Sequence, residues 1–260
     1  MRIFDHQSGS FFEIDGARIY CEETGDKTGH PLLLLHGGFG NVQDFNNIIP
    51  RLSRNFRVIG IDSRGHGKST IGPTGLLTYE RIEKDLEHII KHLQLDNFSI
   101  MGFSDGGIVA YRLASHSPSK IQKIVTIGSH WEMKQDDPTR EILAKVTGES
   151  WRKKFPASFD DYQRLNSDAN FDRLARSIVD MWLDCDDSGY PNNRVASISC
   201  ELLIVRGDDD HLLSRETVVE LARRVKNSRV LNIPFAGHVA FDDQPDIFML
   251  SFNRFFRTAG

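Results

Sequence analysis

Ser104 stands between Gly102 and Gly106, with Gly107 following, inside the run Asn97-Phe-Ser-Ile-Met-Gly-Phe-Ser-Asp-Gly-Gly-Ile-Val-Ala110. A serine hydroxyl is a weak nucleophile until a neighbouring base takes its proton. Gly-x-Ser-x-Gly, placed after an apolar run and before a helical pattern, sets the serine on a sharp strand-to-helix turn with its hydroxyl exposed above a parallel sheet. With no Cβ at 102 or 106, the departing helix can pack against the strand it has just left. The acid and the base that activate such a serine belong on later strand exits, in the order serine, acid, histidine. Two loops meet that description. Gly207-Asp-Asp-Asp-His211 follows the apolar run Glu201 to Val205 and offers Asp208, Asp209 or Asp210 as the acid; Ala236-Gly-His238 follows Arg229 to Ile233 and offers His238 as the base.

Acyl chemistry also needs backbone N–H donors where negative charge develops. His36-Gly-Gly-Phe-Gly40 runs straight on from the apolar Pro31 to Leu35 and reads as that oxyanion loop. One donor then comes from this early loop and the other from the residue after the nucleophile. Gly38 and Asp105 are the expected pair, with Phe39 the alternative to Gly38. The loop has neither Gly-Lys-Ser/Thr nor Gly-x-Gly-x-x-Gly, so a phosphate cradle is not its reading. His66, between glycines in Asp62-Ser-Arg-Gly-His-Gly-Lys-Ser69, reads as a loop brace. His88 and His92 sit one helical turn apart with no third ligand nearby in sequence, and the acids at 208 to 210 lack the alternate spacing and distal glutamate of a calcium loop. Neither a metal nor a cofactor is implied.

These residues need a sheet to carry them. Asp15-Gly16 between the short runs Phe11 to Ile14 and Arg18 to Glu22 predicts a hairpin, hence an antiparallel start. Pro31 to Leu35, Phe56 to Ile61, Ile121 to Ile127 and Glu201 to Val205 are continuous apolar runs of the kind buried on both faces of a parallel sheet. Val42 to Leu52 is amphipathic, and Tyr79 to Leu95 carries Ile82, Leu86, Ile89, Ile90 and Leu93 at helical spacing. Helices are also expected over Arg215 to Val225 and Gln244 to Phe256. From Trp131 to about Val195 strand patterns vanish, and charge and aromatic residues dominate: Trp131, Trp151, Phe155, Phe159, Tyr162, Phe171 and Trp182. This predicts a core of residues 1–130 and 197–260 with a helical insertion at 131–196. An insertion there lies over the C-terminal strand ends, where α/β sheets place their sites. Trp131 and Phe39 are taken as rings of the substrate pocket.

Composition narrows the classes. At 260 residues the chain can bury a full core, and a net charge of -4 with 26% charged residues of both signs gives no basis for nucleic-acid binding. Cys21, Cys185 and Cys200 are odd in number and contain no Cys-x-x-Cys, which predicts free thiols in a reducing, cytoplasmic setting. The first ten residues lack the apolar core of a signal peptide, and no stretch approaches the ~20 apolar residues of a membrane span. A soluble protein with no membrane partner is the expectation.

His36-Gly37-Gly38, Asp62 to Ser69, Gly102 to Gly107, Gly207 to Asp210 and Gly237-His238, in that order and across essentially the whole chain, resemble the α/β-hydrolase fold family. The resemblance implies a mostly parallel eight-stranded sheet with helices on both faces and a helical cap. It places the acid three residues after the strand-ending glycine, so it implies the triad Ser104, Asp210, His238, with Asp208 and Asp209 as lesser candidates. Serine at 104 departs from the aspartate that haloalkane dehalogenases and epoxide hydrolases of this fold use there. Ser-Asp-Gly-Gly is most similar to the valacyclovir hydrolase (biphenyl hydrolase-like) group, in which the aspartate after the serine is associated with the α-amino group of amino-acid esters. Carried here, that residue is Asp105, although an acid in the first turn of a helix is favourable on its own account. The implied activity is hydrolysis of a small carboxylic ester through an acyl-enzyme. Lactones, thioesters and the carbon–carbon bond of diketones are the alternatives within the fold. A ligand-binding receptor of low turnover is the alternative of another class.

Overall fold

The computed structural model describes residues 2–116 and 120–257. The chain opens with β1 (Ser10–Ile14) and β2 (Ala17–Gly25), paired antiparallel with Ile14 opposite Ala17. Asp15 and Gly16 close this hairpin with φ of 46° and 73°, the left-handed pair that matches the twist of the flanking strands. Next come β3 (His30–Leu35), the short α1 (Ile49–Leu52), β4 (Phe56–Ile61), α2 (Tyr79–His92), β5 (Phe98–Phe103), α3 (Asp105–His116) and β6 (Ile121–Ile127). Four helices follow: α4 (Pro138–Leu143), α5 (Gly148–Lys154), α6 (Pro156–Leu165) and α7 (Phe171–Leu183). The sheet then resumes with β7 (Glu201–Gly207), α8 (Arg215–Arg224) and β8 (Ser228–Ile233), and the described chain ends with α9 (Ala240–Asp243) and α10 (Pro245–Arg257).

The eight strands lie in the order β1-β2-β4-β3-β5-β6-β7-β8, antiparallel at the β1–β2 and β2–β4 ladders and parallel at every later one. Side chains alternate between faces with the period of two of a strand. Leu33, Leu35, Ile100, Leu202 and Ile204 join the core beneath α2, α3 and α8, which α7 also enters through Leu174 and Ile178. Leu32, Leu34, Met101, Phe103, Leu203 and Val205 join the opposite core with α1, α9 and α10. Leu32, Leu33, Leu34 and Leu35 are at most 1% exposed, and burial of each contributes about 1.5–3 kcal/mol.

Proline sets the start of two helices. Val42 to Leu52 splits into a 3-10 turn, Val42–Phe45, capped by Asn41, and α1, because Pro50 has no N–H to continue a ladder; Val42, Phe45, Ile49 and Leu52 still face the core. At the C-terminal end Pro245 likewise starts α10 afresh after α9.

One topological feature locates the site. β3 is followed in sequence by β4 on one side and in space by β5 on the other, so the connections leave the sheet in opposite directions between β3 and β5. A crevice opens at the carboxyl ends of strands where the order reverses in this way. Leu35 is in register with Gly102, which brings His36-Gly37-Gly38 beside the turn at Ser104. Among the described residues no helix is long and apolar enough to cross a membrane.

Candidate active site

Ser104 joins β5 to α3 with φ of 50°, left-handed for a residue with a Cβ. Such strain costs on the order of 1–3 kcal/mol and persists only where the surroundings fix it. Here they do: the Ser104 amide donates to Ile127 O at 2.8 Å, and its carbonyl accepts from Gly107 N at 3.0 Å and Ile108 N at 3.2 Å. A Cβ at Gly102 would collide with the Gly106 carbonyl, and one at Gly106 with the Leu35 carbonyl. Both glycines let α3 cross the ends of β3 and β5 at backbone contact.

The loops after β7 and β8 bring in the partners. His238 Nε2 lies 3.1 Å from Ser104 Oγ, and Nδ1 lies 2.9 Å from Asp210 Oδ2. Gly128, with φ of 61°, leaves room for the ring: a Cβ there would sit 2.9 Å from His238 Nδ1 and Cε1. The other Asp210 oxygen, Oδ1, accepts from the amides of Leu212 at 2.9 Å and Leu213 at 3.3 Å. Burial pushes the Asp210 carboxyl up, but the hydrogen bond and charge of His238 and these two amides outweigh it, and its pKa is lowered. The Leu212 carbonyl in turn accepts from His130 Nε2 and Thr139 Oγ1, both at 2.9 Å, so α4 helps hold the acid's loop. Asp208 points elsewhere, bonded to Asn232 and Arg215, and Asp209 is exposed. Asp210 is therefore the one of the three acids that meets the histidine.

The glycine-rich loop after β3 is braced from below. His36 Nε2 accepts from Ser63 N at 2.9 Å, so Nδ1 carries the proton and donates to Gly37 O at 2.7 Å. Burial lowers the His36 pKa and keeps the ring neutral. His66 is the expected brace, fully buried with Nδ1 on Arg64 O, and burial takes its pKa down to about 3. Gly37 abuts Ser104, and Gly38 faces the cavity. Among the described residues the amides of Gly38, Phe39 and Asp105 have no acceptor within the protein.

Ser104 and His238 open into a cavity of about 310 Å³. Trp151, Phe155, Trp182, Ile142, Leu143 and Val146 form much of its wall, all from the helices between β6 and β7 or their loops. Asp105 is on its floor, 6% exposed. Tyr79 Oη donates to Asp105 Oδ1 at 2.8 Å, and Trp182 Nε1 donates to Oδ1 at 2.9 Å and Oδ2 at 3.0 Å. Burial drives the Asp105 pKa up to about 6, with the Trp182 and Tyr79 bonds opposing the rise. Among the described residues no group of three or more His, Cys, Asp or Glu is placed to hold a metal ion.

Two expected pocket rings are elsewhere. Trp131 is fully buried and does not line the cavity: its Nε1 donates to Thr217 O at 3.2 Å and its ring is covered by Arg224, both on α8. Phe39 is 4% exposed and stacked under Trp151 at 4.0 Å, so it supports the wall without forming it. Sequence reasoning missed Tyr79 and Tyr190. Tyr79 heads a helix whose periodicity marks it only as core, and nothing in its spacing links it to residue 105.

The alpha/beta hydrolase fold family model matches residues 30–175. The human "Serine hydrolase BPHL" is 28% identical over 237 residues, covering 86% of this chain and 78% of that protein. The Metapseudomonas resinovorans 2-hydroxy-6-oxo-6-(2'-aminophenyl)hexa-2,4-dienoic acid hydrolase is 27% identical over 240 residues, covering 85% of this chain and 81% of its own. A solved hydrolase from Pseudomonas aeruginosa PA01 superposes with a TM-score of 0.81 at 22% identity, covering 98% of this chain and 100% of its own. The sheet order, the strained serine turn and a family match over more than half of the sequence agree, and the chain belongs to the alpha/beta hydrolase fold family.

Proposed function

We propose that the protein is a serine hydrolase of small carboxylic esters, and the observation that carries this is the unbroken contact from Ser104 Oγ through the His238 imidazole to Asp210. His238 takes the Ser104 proton as the hydroxyl attacks the ester carbonyl, and Asp210 holds the imidazole in the tautomer that can do so and stabilises its cation. The amides of Gly38 and Asp105 receive the oxyanion, each contributing about 3 kcal/mol. Collapse of the tetrahedral intermediate expels the alcohol with the proton from His238 and leaves an acyl-serine. Water then repeats the sequence and releases the acid. The helices between β6 and β7 act as the cap that excludes bulk water and shapes the acyl pocket. The free thiols of Cys21, Cys185 and Cys200 suit a cytoplasmic setting.

Asp105 supports a finer reading, in which acyl groups with a free α-amine are preferred. Among the described residues it is the one carboxylate on the cavity wall, next to the nucleophile, and an acid at this position is associated with amine binding in the valacyclovir hydrolase group. Steady-state hydrolysis of matched neutral p-nitrophenyl esters and amino-acid esters tests both levels. Wild type is expected to turn over at least one panel and Ser104→Ala neither, with a loss on the order of 10⁴-fold or more. Should wild type cleave no member of either panel, the ester reading fails and lactones and diketones come next.

A further inference from the structure

The mechanism above uses the Asp105 amide but leaves its side chain unexplained as chemistry. A carboxylate buried beside a site that develops negative charge is unfavourable there, since like charges repel more strongly where apolar rings displace water. A Cβ at Gly38 would lie 2.8 Å from Asp105 Oδ2 and 2.8 Å from Trp182 Cζ2, so both side chains border the glycine whose amide faces the oxyanion. The carboxylate is not left to turn away. Tyr79 grips Oδ1 from α2, and the Trp182 indole spans both oxygens from α7. Tyr190 Oη donates to the Trp182 carbonyl at 2.9 Å and its ring packs on Tyr79 at 5.1 Å, tying the two donors together.

We propose that Tyr79 and Trp182 are positioning residues for specificity: their donors fix the Asp105 carboxylate beside Gly38 as an anion, so that the site favours acyl groups carrying a cationic amine and disfavours neutral ones. This rests on the ester-hydrolase reading of Ser104. Selection then works in two directions. An ammonium on the acyl group cancels the carboxylate as the oxyanion forms, whereas a neutral acyl group leaves two negative charges near Gly38. Discrimination by an unfavourable contact with the wrong substrate is as effective as attraction of the right one. Both donors are neutral, so neither competes with the substrate for the charge of Asp105. Tyr79 is held un-ionised, its pKa raised well above the ordinary value by burial and by Asp105 itself.

The groups that face Asp105 are Tyr79 from α2, Trp182 from α7, Gly38 from the loop after β3 and, coupled to it by charge, His238 and Tyr190. Lys154, His130 and His211 also line the cavity. Because His238 serves as the base for both substrate types, the readout is a ratio: kcat/KM on an amino-acid ester divided by kcat/KM on its des-amino analogue, measured from pH 5 to 8. In wild type the ratio falls as pH drops through about 6, where Asp105 gains its proton. Tyr79→Phe and Trp182→Phe each remove one donor that opposes protonation, so the midpoint moves up and the ratio at pH 6 drops roughly fivefold for a shift of about one pH unit. Asp105→Asn abolishes the pH dependence of the ratio and raises kcat/KM on the neutral ester. Thermal unfolding of the two phenylalanine variants identifies any that fail to fold; either one alone suffices. If Asp105→Asn removes the amine preference but a folded Tyr79→Phe and Trp182→Phe leave the ratio and its midpoint unchanged, the positioning role is overturned and amine recognition stands. If Asp105→Asn leaves the ratio unchanged, amine recognition falls and this proposal with it, while loss of turnover in Ser104→Ala still decides the hydrolase reading separately.

Discussion

The strand exits and the helices between β6 and β7 build opposite halves of one cavity, and they do so by different physics. Ser104, Gly38, Asp210 and His238 leave the sheet at β5, β3, β7 and β8, and their positions follow from backbone register, tight turns and glycines that a Cβ would block. The helical half places Trp151, Phe155 and Trp182 by packing of rings on rings, with Trp151 stacked on Phe39 and tilted against Phe155 at 4.6 Å. Register is set by a ladder of hydrogen bonds and tolerates little drift. Ring packing can be refilled by another side chain of similar volume. On the proposed function the chemistry belongs to the half that cannot vary, and substrate shape to the half that can.

The largest test of this division lies on the strand-exit side. Asp210→Asn is expected to lower kcat by about 10⁴-fold by leaving His238 in the wrong tautomer, while Asp208→Asn, which weakens contacts to Arg215, Asn232 and Arg206 but none to His238, keeps kcat within a factor of about two. Equal losses in the two variants would move the acid and break the assignment. On the helical side Trp151→Ala should raise KM for bulky acyl esters about tenfold with kcat little changed, because it removes wall and not machinery. Trp131→Phe sharpens the contrast: losing the bond to Thr217 costs about 1–2 kcal/mol of stability by thermal or urea unfolding, with KM unaltered. The smallest effect sits where the halves touch. Thr139→Val takes one of two donors from the Leu212 carbonyl and should cost up to about 1 kcal/mol, roughly fivefold in kcat/KM, with no change in substrate preference. A changed preference would mean that α4 shapes the pocket more than it steadies the acid.

This division also explains what could be read from the residues. Asp15-Gly16, the four-leucine run at 32–35 and Gly-x-Ser-x-Gly each carry local signals, because a turn, a doubly buried strand and a strained elbow each demand particular residue types at fixed spacing. Asp210 needed the family pattern, since three adjacent aspartates are equivalent until the turn after β7 aims one at His238. In the helical segment the aromatic residues announced a wall but not its members. Trp131 and Trp182 have the same side chain and similar burial, 0% and 7%, yet one packs against α8 and the other reaches Asp105 across 77 residues. No periodicity within either segment distinguishes them, because the difference arises from how separate helices meet.

Ser104 and His238 are 134 residues apart in sequence, and three strand ladders separate β5 from β8 in the sheet. Pairs so distant along a chain close late in folding, since the entropy of the intervening loop must be overcome first. During synthesis the hydroxyl is thus made long before the imidazole that can deprotonate it. On the proposed mechanism a ribosome-held or half-folded molecule would carry an inert alcohol until β8 and the loop after it are in place. The enzyme's own turnover then serves as a reporter of finished assembly.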